Sequence, residues 1–442
     1  MQESNPGSGS IHRVAIASLV GTTIEWYDFF LYGTASALIF PKLFFPNYDA
    51  LTGTLASFGT YAVGFAARPI GGVVCGHFGD RVGRKSMLVL TLLIMGVATF
   101  FIGLLPTYSS IGIWAPVLLV FLRMAQGFAA GGEWGGAVLM AVEHSPARRR
   151  GFYGSWPQIG VPAGLLLSTL VFRAISKLPE SALLSWGWRV AFLISILLVA
   201  VGLYIRLKVS EPPVFNEIVE TRSASRMPII DAVRHHPRNV LLAMGARLAE
   251  NGAFYLYTVF VLTYATQPAR GFTSSTVLSA IALAAIVELI AIPTYGWLSD
   301  IVGRRPVYLA GSIFTGLFAF PFFWLVDTSS TPLMTLAVVC ALVFGHSAMY
   351  GPQASFFSEL FGTRVRYSGA SLGYQLSSVV AGGLSPLIAT SLLKRTGLSW
   401  PIAVLTAGLA IVTTVSVYFA AETVHHDIVA ESTTEKAKAV GR

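Results

Sequence analysis

The chain has 442 residues, 54% hydrophobic and only 12% charged, with a formal net charge of +9. Soluble domains carry about 25% charged residues, so the composition excludes an ordinary soluble fold and makes lipid the expected solvent. The two cysteines, Cys75 and Cys340, lie in separate apolar runs and give no disulfide framework.

In chain order, Met1–Ser10 is polar and is expected to be disordered, within a tail over 1–12. The first apolar run is too long for the core of a signal peptide and contains Glu25 and Asp28, so no cleaved leader is expected. A hydrocarbon core of ~30 Å needs ~20 apolar residues per helix. Runs of that kind fall at about 13–40, 51–76, 86–105, 112–142, 151–175 and 188–209, and again at about 239–266, 274–298, 306–326, 332–359, 367–393 and 399–421. Backbone groups in lipid must be satisfied within their own segment, so these runs predict helices. The expected architecture is an all-α integral membrane protein: twelve transmembrane helices in two six-helix halves, 13–209 and 239–421. A polar linker over 210–238 joins the halves, and 422–442 forms a second tail.

Twenty of the 30 Lys and Arg fall in segments on one side of such a bundle and seven on the other. The positive-inside rule then puts both termini and the linker in the cytoplasm, which makes the basic charge a topology signal and argues against nucleic acid as a partner. The three remaining cations, Arg68, Arg123 and Arg247, lie inside apolar runs. Charge at bilayer depth is costly, so each of these is a candidate for function.

The two halves repeat one another. Gly76–Lys85 (GHFGDRVGRK) returns as Gly296–Arg305 (GWLSDIVGRR), and Glu143, Arg148 and Arg150 return as Glu359, Arg364 and Arg366 at an offset of 216. Repeats of one direction in the membrane mark a large class of transporters. Both motifs read as glycine-hinged loops between helices. Charge-assisted bonds from Asp80, Arg84, Lys85, Asp300, Arg304 and Arg305 to those glutamates and arginines would hold the cytoplasmic side shut in one state.

Inside the membrane, Glu25 and Asp28 are three residues apart and share a helix face. At 1.5 Å per residue Glu25 lies ~16–18 Å from its end of the helix and Arg123 ~14 Å from the opposite surface, both near mid-bilayer. Two carboxylates that close, partly dehydrated, do not readily both ionise, so one of them is expected to hold a proton. Arg123, whose fork matches a carboxylate, is expected to take an anionic substrate, with Gln126 one turn on. Glu133, within Gly131–Gly136 (GGEWGG), reads equally as a packing carboxylate or a proton carrier. Arg247, Asn251 and Tyr255 form a stripe. Arg247 with Glu250 reads either as an internal pair or as a substrate contact, and Arg68 as a lock between helices. Tyr32, Trp156, Gln158, Tyr255, Tyr374 and Gln375 are further lining candidates. His346 reads as a hydrogen-bonded core residue, and Glu288 faces no identifiable surface.

The motif Gly-x-x-x-Asp-x-x-Gly-Arg-Lys/Arg in both halves resembles that of the major facilitator superfamily. Glu25–Phe29 (EWYDF), Arg68–Gly72 (RPIGG), Gly76–Arg81 (GHFGDR), Gly131–Gly136 and Trp186–Arg189 (WGWR) resemble more narrowly its metabolite:proton symporter family. The resemblance covers roughly 13–421. It implies alternating-access import of a small organic acid with a proton as coupling ion, by a monomer in a bacterial inner membrane without cofactor or metal. Relatives of that kind also carry 2-oxoglutarate and other dicarboxylates, or proline and betaine. A carrier-like sensor is the alternative of another class. An intramembrane enzyme lacks a nucleophile or metal site, since His235–His236 and His425–His426 fall in polar segments.

Overall fold

The computed structural model describes residues 8–82, 84–143, 145–208, 234, 236–361 and 366–424. Twelve long helical segments run through these residues. In the first half they are α1 (Ser8–Leu38), α2 (Ala50–Val82), α3 (Arg84–Leu104), α4 (Trp114–Gly131 continued by Trp134–Glu143), α5 (Arg150–Ile175) and α6 (180–208). In the second they are α7 (237–265), α8 (Ser274–Val302), α9 (Arg304–Asp327), α10 (Thr331–Glu359), α11 (366–396) and α12 (Trp400–Phe419). Eight of the helices are each long and apolar enough to cross a bilayer by composition alone. Large apolar side chains such as Phe121, Ile290, Leu317 and Ile411 point outward, as lipid contact demands.

The helices outrun the apolar runs, because backbone hydrogen bonding does not stop where the side chains turn polar. Helix α1 begins at Ser8, so the end of the expected disordered tail is helical. Gly76–Val82 forms the last turns of α2 rather than a loop. In the repeat, a single residue, Gly303, separates α8 from α9, and its φ of +104° is a conformation that only glycine adopts without strain.

The halves meet along two seams, α2 against α11 and α5 against α8. The repeat maps α2 onto α8 and α5 onto α11, so the second seam is the first one turned over, as a pseudo-two-fold axis along the membrane normal requires. Within the first half α2 lies hard against α4. A Cβ on Gly127 would strike the carbonyl of Gly64, and one on Gly131 that of Arg68. This close approach is what small residues permit between membrane helices. Four helices contain a π-helical turn among the described residues: α6 at Leu183–Gly187, α7 at Leu256–Phe260, α10 at Ala341–His346 and α11 at Ser378–Gly383. Such turns frequently mark functional sites.

Candidate functional site

Arg123 lies on the inner face of α4 and is fully buried. Its shaft passes over Gly64, where a Cβ would collide with the guanidinium. The guanidinium carbon sits 4.1 Å from the ring centre of Phe29, 4.4 Å from Tyr32 and 4.7 Å from Tyr61, a box of π faces that stabilises a dehydrated cation. Nη1 donates to Gln126 Oε1 at 3.0 Å, Gln126 Nε2 donates to Thr99 Oγ1 at 2.6 Å, and Thr99 donates to Asp28 Oδ2 at 2.8 Å. Every donor in this string points from the cation toward the carboxylate, so each bond polarises the next. Asp28 and Arg123 are thus joined through two side chains rather than by a direct ion pair. Nε and Nη2 of Arg123 and Oδ1 of Asp28 have no hydrogen-bond partner among the described residues. Tyr32 turns its hydroxyl to Thr60, 2.7 Å away. Tyr255 of the second half closes the chamber, its ring 5.3 Å from Phe65, 6.0 Å from Tyr61 and 6.3 Å from Phe29.

Arg247 is held differently. Its Nε pairs with Glu250 Oε2 at 3.2 Å, Nη1 donates to Tyr374 O at 2.7 Å and to Ser378 Oγ, and its carbon lies 3.1 Å from the Tyr374 ring centre. The geometry contains the internal pair, and it leaves the substrate-contact reading open. Asn251 comes up beside Gly382 of the π turn in α11.

A third group ties the halves together below the chamber. Arg68 Nε donates to Gln375 Oε1 at 3.1 Å, and Gln375 Nε2 donates to Gly131 O at 3.0 Å. Trp134 stacks on Tyr374 at 3.7 Å and donates from Nε1 to Gln158 Oε1 at 3.1 Å. Glu25 and Glu133 are both buried, Glu133 at the break between the two parts of α4. Trp156 meets the ring of Phe152 on its own helix.

The face carrying the repeated motif is closed by a contact the sequence does not show. Asp300 on α8 accepts the N–H groups of Gly151 and Phe152 at the start of α5, at 2.8 and 2.9 Å. A helix N-terminus presents free amides and partial positive charge, so the carboxylate caps α5 from the other half. Arg304 anchors that carboxylate at 2.7 Å and reaches Glu359 at 3.2 Å, both within the second half. Glu422 receives the N–H groups of Arg304 and Arg305 at 2.9 and 3.0 Å. At Asp300 the contact between the halves is carboxylate to backbone, and Arg304 with Glu359 makes a charge-assisted bond of the expected kind within the second half. Arg150 is buried on the same seam, where its carbonyl accepts from Ser355 Oγ at 2.9 Å, and Arg148 is exposed. The side chains of Asp80, Arg84, Lys85, Glu143 and Arg366, and all of Arg364, lie outside the described residues.

On the opposite face a cavity of about 910 Å³ opens between the halves, lined by Leu38, Lys42, Phe172, Glu180, Thr266 and Gln267 among others. Beside it Lys394 of α11 bridges to Asp49 Oδ2 at 3.4 Å and to Thr52.

A two-fold bundle with a buried cation, a buried carboxylate and a closable seam at each face is the layout of a carrier. The chain belongs to the Major Facilitator Superfamily, whose sequence profile matches residues 19–382 and, in a second match, 289–440. It is a multi-pass membrane transporter and not an enzyme. Over 391 residues it is 44% identical to the shikimate transporter of Escherichia coli strain K12, which covers 88% of this chain and 89% of that one. The inner membrane metabolite transport protein YhjE of the same strain is 40% identical over 434 residues, 97% of this chain and 98% of that one. A proline/betaine transporter of that strain is 35% identical over 396 residues, 87% and 78%. The crystal structure of a D-xylose–proton symporter superposes with a TM-score of 0.72 at 16% identity, covering 94% of this chain and 99% of that one, which shows a shared fold.

Proposed function

We propose that this protein is a proton-coupled symporter that carries a small organic acid, shikimate or a similar hydroxylated carboxylate, into the cell by alternating access. The observation that carries the reading is Arg123, buried in an aromatic box with two donors unpaired and wired through Gln126 and Thr99 to Asp28. A substrate carboxylate takes the free edge of the fork. The guanidinium then polarises Gln126 and Thr99 less, and Asp28 is better satisfied by a proton. Binding and protonation favour each other, as reciprocal linkage requires. Thr99 suits both states of Asp28, because its hydroxyl lies 2.8 Å from that carboxylate and 2.9 Å from Met95 O. It donates to the carboxylate when Asp28 is ionised. It donates to the carbonyl, and accepts from Asp28, when Asp28 is protonated.

The similarity to the shikimate transporter supports the substrate class. Tyr61 and Tyr255, whose rings lie 6.0 Å apart, offer hydroxyls to a polyhydroxylated ring. The same rings of Phe29, Tyr61, Phe65 and Tyr255 also suit the cationic end of a zwitterion such as proline or betaine, the second reading. The proton is the only coupling ion in this account. The protein works as a monomer in the inner membrane, with the Asp300 face, both termini and the 210–238 linker in the cytoplasm. Uptake of radiolabelled shikimate into vesicles with an inward proton gradient tests the reading. Accumulation that collapses with the gradient and is competed by small carboxylates is expected, whereas competition by betaine alone would favour the second reading.

A further inference from the structure

In the second half, away from the Arg123 chamber, His346 of α10 lies between two carboxylates. Its Nδ1 is 2.6 Å from Glu288 Oε1 on α8, and its Nε2 is 3.3 Å from Glu250 Oε1 on α7. All three side chains are at most 3% exposed. A neutral imidazole has one N–H and one lone pair. With the proton on Nε2 the Nδ1 lone pair would meet the Glu288 oxygen at 2.6 Å, and with the proton on Nδ1 the Nε2 lone pair would face the Glu250 oxygen at 3.3 Å, whereas an imidazolium donates to both.

Charge balance points the same way. Arg247 pairs with Glu250 at 3.2 Å, while among the described residues the basic group that meets Glu288 is His346. The rest of the surround is neutral and donates: Ser347 Oγ to Glu288 Oε1 at 3.1 Å, and Gln353 Nε2 to Glu250 Oε2 at 2.9 Å. The rings of Phe254 and Tyr350 flank the imidazole at 4.2 and 4.8 Å, and Tyr308 of α9 is bound to Gln353 rather than to the histidine. An uncompensated buried charge is strongly unfavourable, whereas a cation between two anions already balanced on one side closes the account.

We infer that the Glu250–His346–Glu288 string is a second proton-binding site, holding an imidazolium on the second half independently of Asp28. Two features separate it from the Arg123 chamber. It is built on α7, α8 and α10 rather than α1, α3 and α4. Its polar link toward the first half is Arg247 through the Tyr374 ring, which stacks on Trp134, and toward α1 it presents the Phe254 ring, 5.6 Å from Phe30. The site therefore adds a proton that Asp28 does not account for.

The test is 15N solid-state NMR on histidine-labelled protein in lipid vesicles, at about pH 8, where an exposed histidine with the ordinary pKa near 6.5 is neutral. Of the eight histidines, one imidazolium signal is expected to persist at that pH and to vanish in His346→Gln. In Glu288→Gln the signal is expected to move to neutral imidazole, since Arg247 and Glu250 then balance without it. Glu288→Gln carries the test if His346→Gln does not fold. Failure to see an imidazolium at that pH, or one that survives either substitution, would overturn the inference. Asp28→Asn should leave the signal in place. Its loss there would contradict the independence of the two sites.

Discussion

The carboxylate of Asp300 accepts the amide of Gly151 at 2.8 Å across the seam between the halves, and the amide of Phe152 at 2.9 Å beside it. Hydrogen bonds to a charged group are worth about 1.5–3 kcal/mol each. Asp300→Asn removes the charge and one of the two acceptors. It should lower the population closed on that face by roughly tenfold, since ~1.4 kcal/mol is a factor of ten. Substrate exchange in vesicles should slow accordingly while the Kd stays within about a factor of two. A wild-type exchange rate with an altered Kd would place Asp300 in binding rather than in closure.

Arg123→Lys separates charge from geometry. An ammonium keeps the cation in the aromatic box but loses the planar fork and the bond to Gln126. Affinity for a carboxylate substrate, read by a thermal-shift titration, should fall at least about tenfold, or ~1.4 kcal/mol. Normal binding would move the anion site to another buried cation, and Arg247, which lies beside Glu250 and donates from Nη1 to Tyr374 and Ser378, would be the next to substitute.

Thr99 did not figure among the sequence candidates, yet it is the group in contact with Asp28. Thr99→Val preserves the shape and deletes both the donor to Asp28 and the acceptor for Gln126. Loss of a bond to the ionised form favours the protonated form. The pH of half-maximal uptake should therefore rise, by about one unit if the bond is worth ~1.4 kcal/mol. Thr99→Ser should restore the wild-type profile. A profile unmoved by Thr99→Val would remove this residue from the coupling path.

The link on the opposite face should be silent in the same experiment. The hydroxyl and amide of Thr52, and further off Lys394, hold the exposed Asp49 carboxyl down at about 2 from an ordinary 3.8. A depressed carboxylate contributes fully above its unfolded value and loses that contribution only as pH falls through the lower one. The Asp49 carboxyl, held down at about 2, therefore stays ionised between about pH 5 and 8. Asp49→Asn may be compared directly with wild type: the uptake profile over that range should superimpose, and a displaced profile would show that the outer link contributes to the pH response.

The twelve helices, the repeat and the carrier class were legible in the sequence because they rest on long periodic signals: apolar length, charge asymmetry and a motif that recurs at fixed offset. Arg123, Gln126 and Asp28 were legible as costly polar residues at depth. Their connection was not, since Thr99 looks like any other small residue of an apolar helix until α3 is packed against α1 and α4. The partner of Glu288 was hidden for the same reason. His346 lies 58 residues on, on another helix, and meets it at 2.6 Å only through the crossing of α8 with α10. The motif carboxylates suggested arginine partners because sequence displays side chains. The amides at the start of α5 that Asp300 caps carry no residue-type signal. Glu422 was read as the start of a tail, although it satisfies the first amides of α9.

The central claim is that Asp28 carries the coupling proton and Arg123 ties it to substrate. Its most direct test is uphill uptake as a function of pH in Asp28→Asn, Glu25→Gln and Glu133→Gln, measured side by side with substrate exchange in the same vesicles. The account predicts that Asp28→Asn loses gradient-driven accumulation and its pH dependence while retaining exchange, which needs no net proton release. Glu25→Gln and Glu133→Gln should still concentrate substrate. An Asp28→Asn protein that concentrates substrate with the wild-type pH profile, or a Glu133→Gln protein that alone loses accumulation, would contradict it.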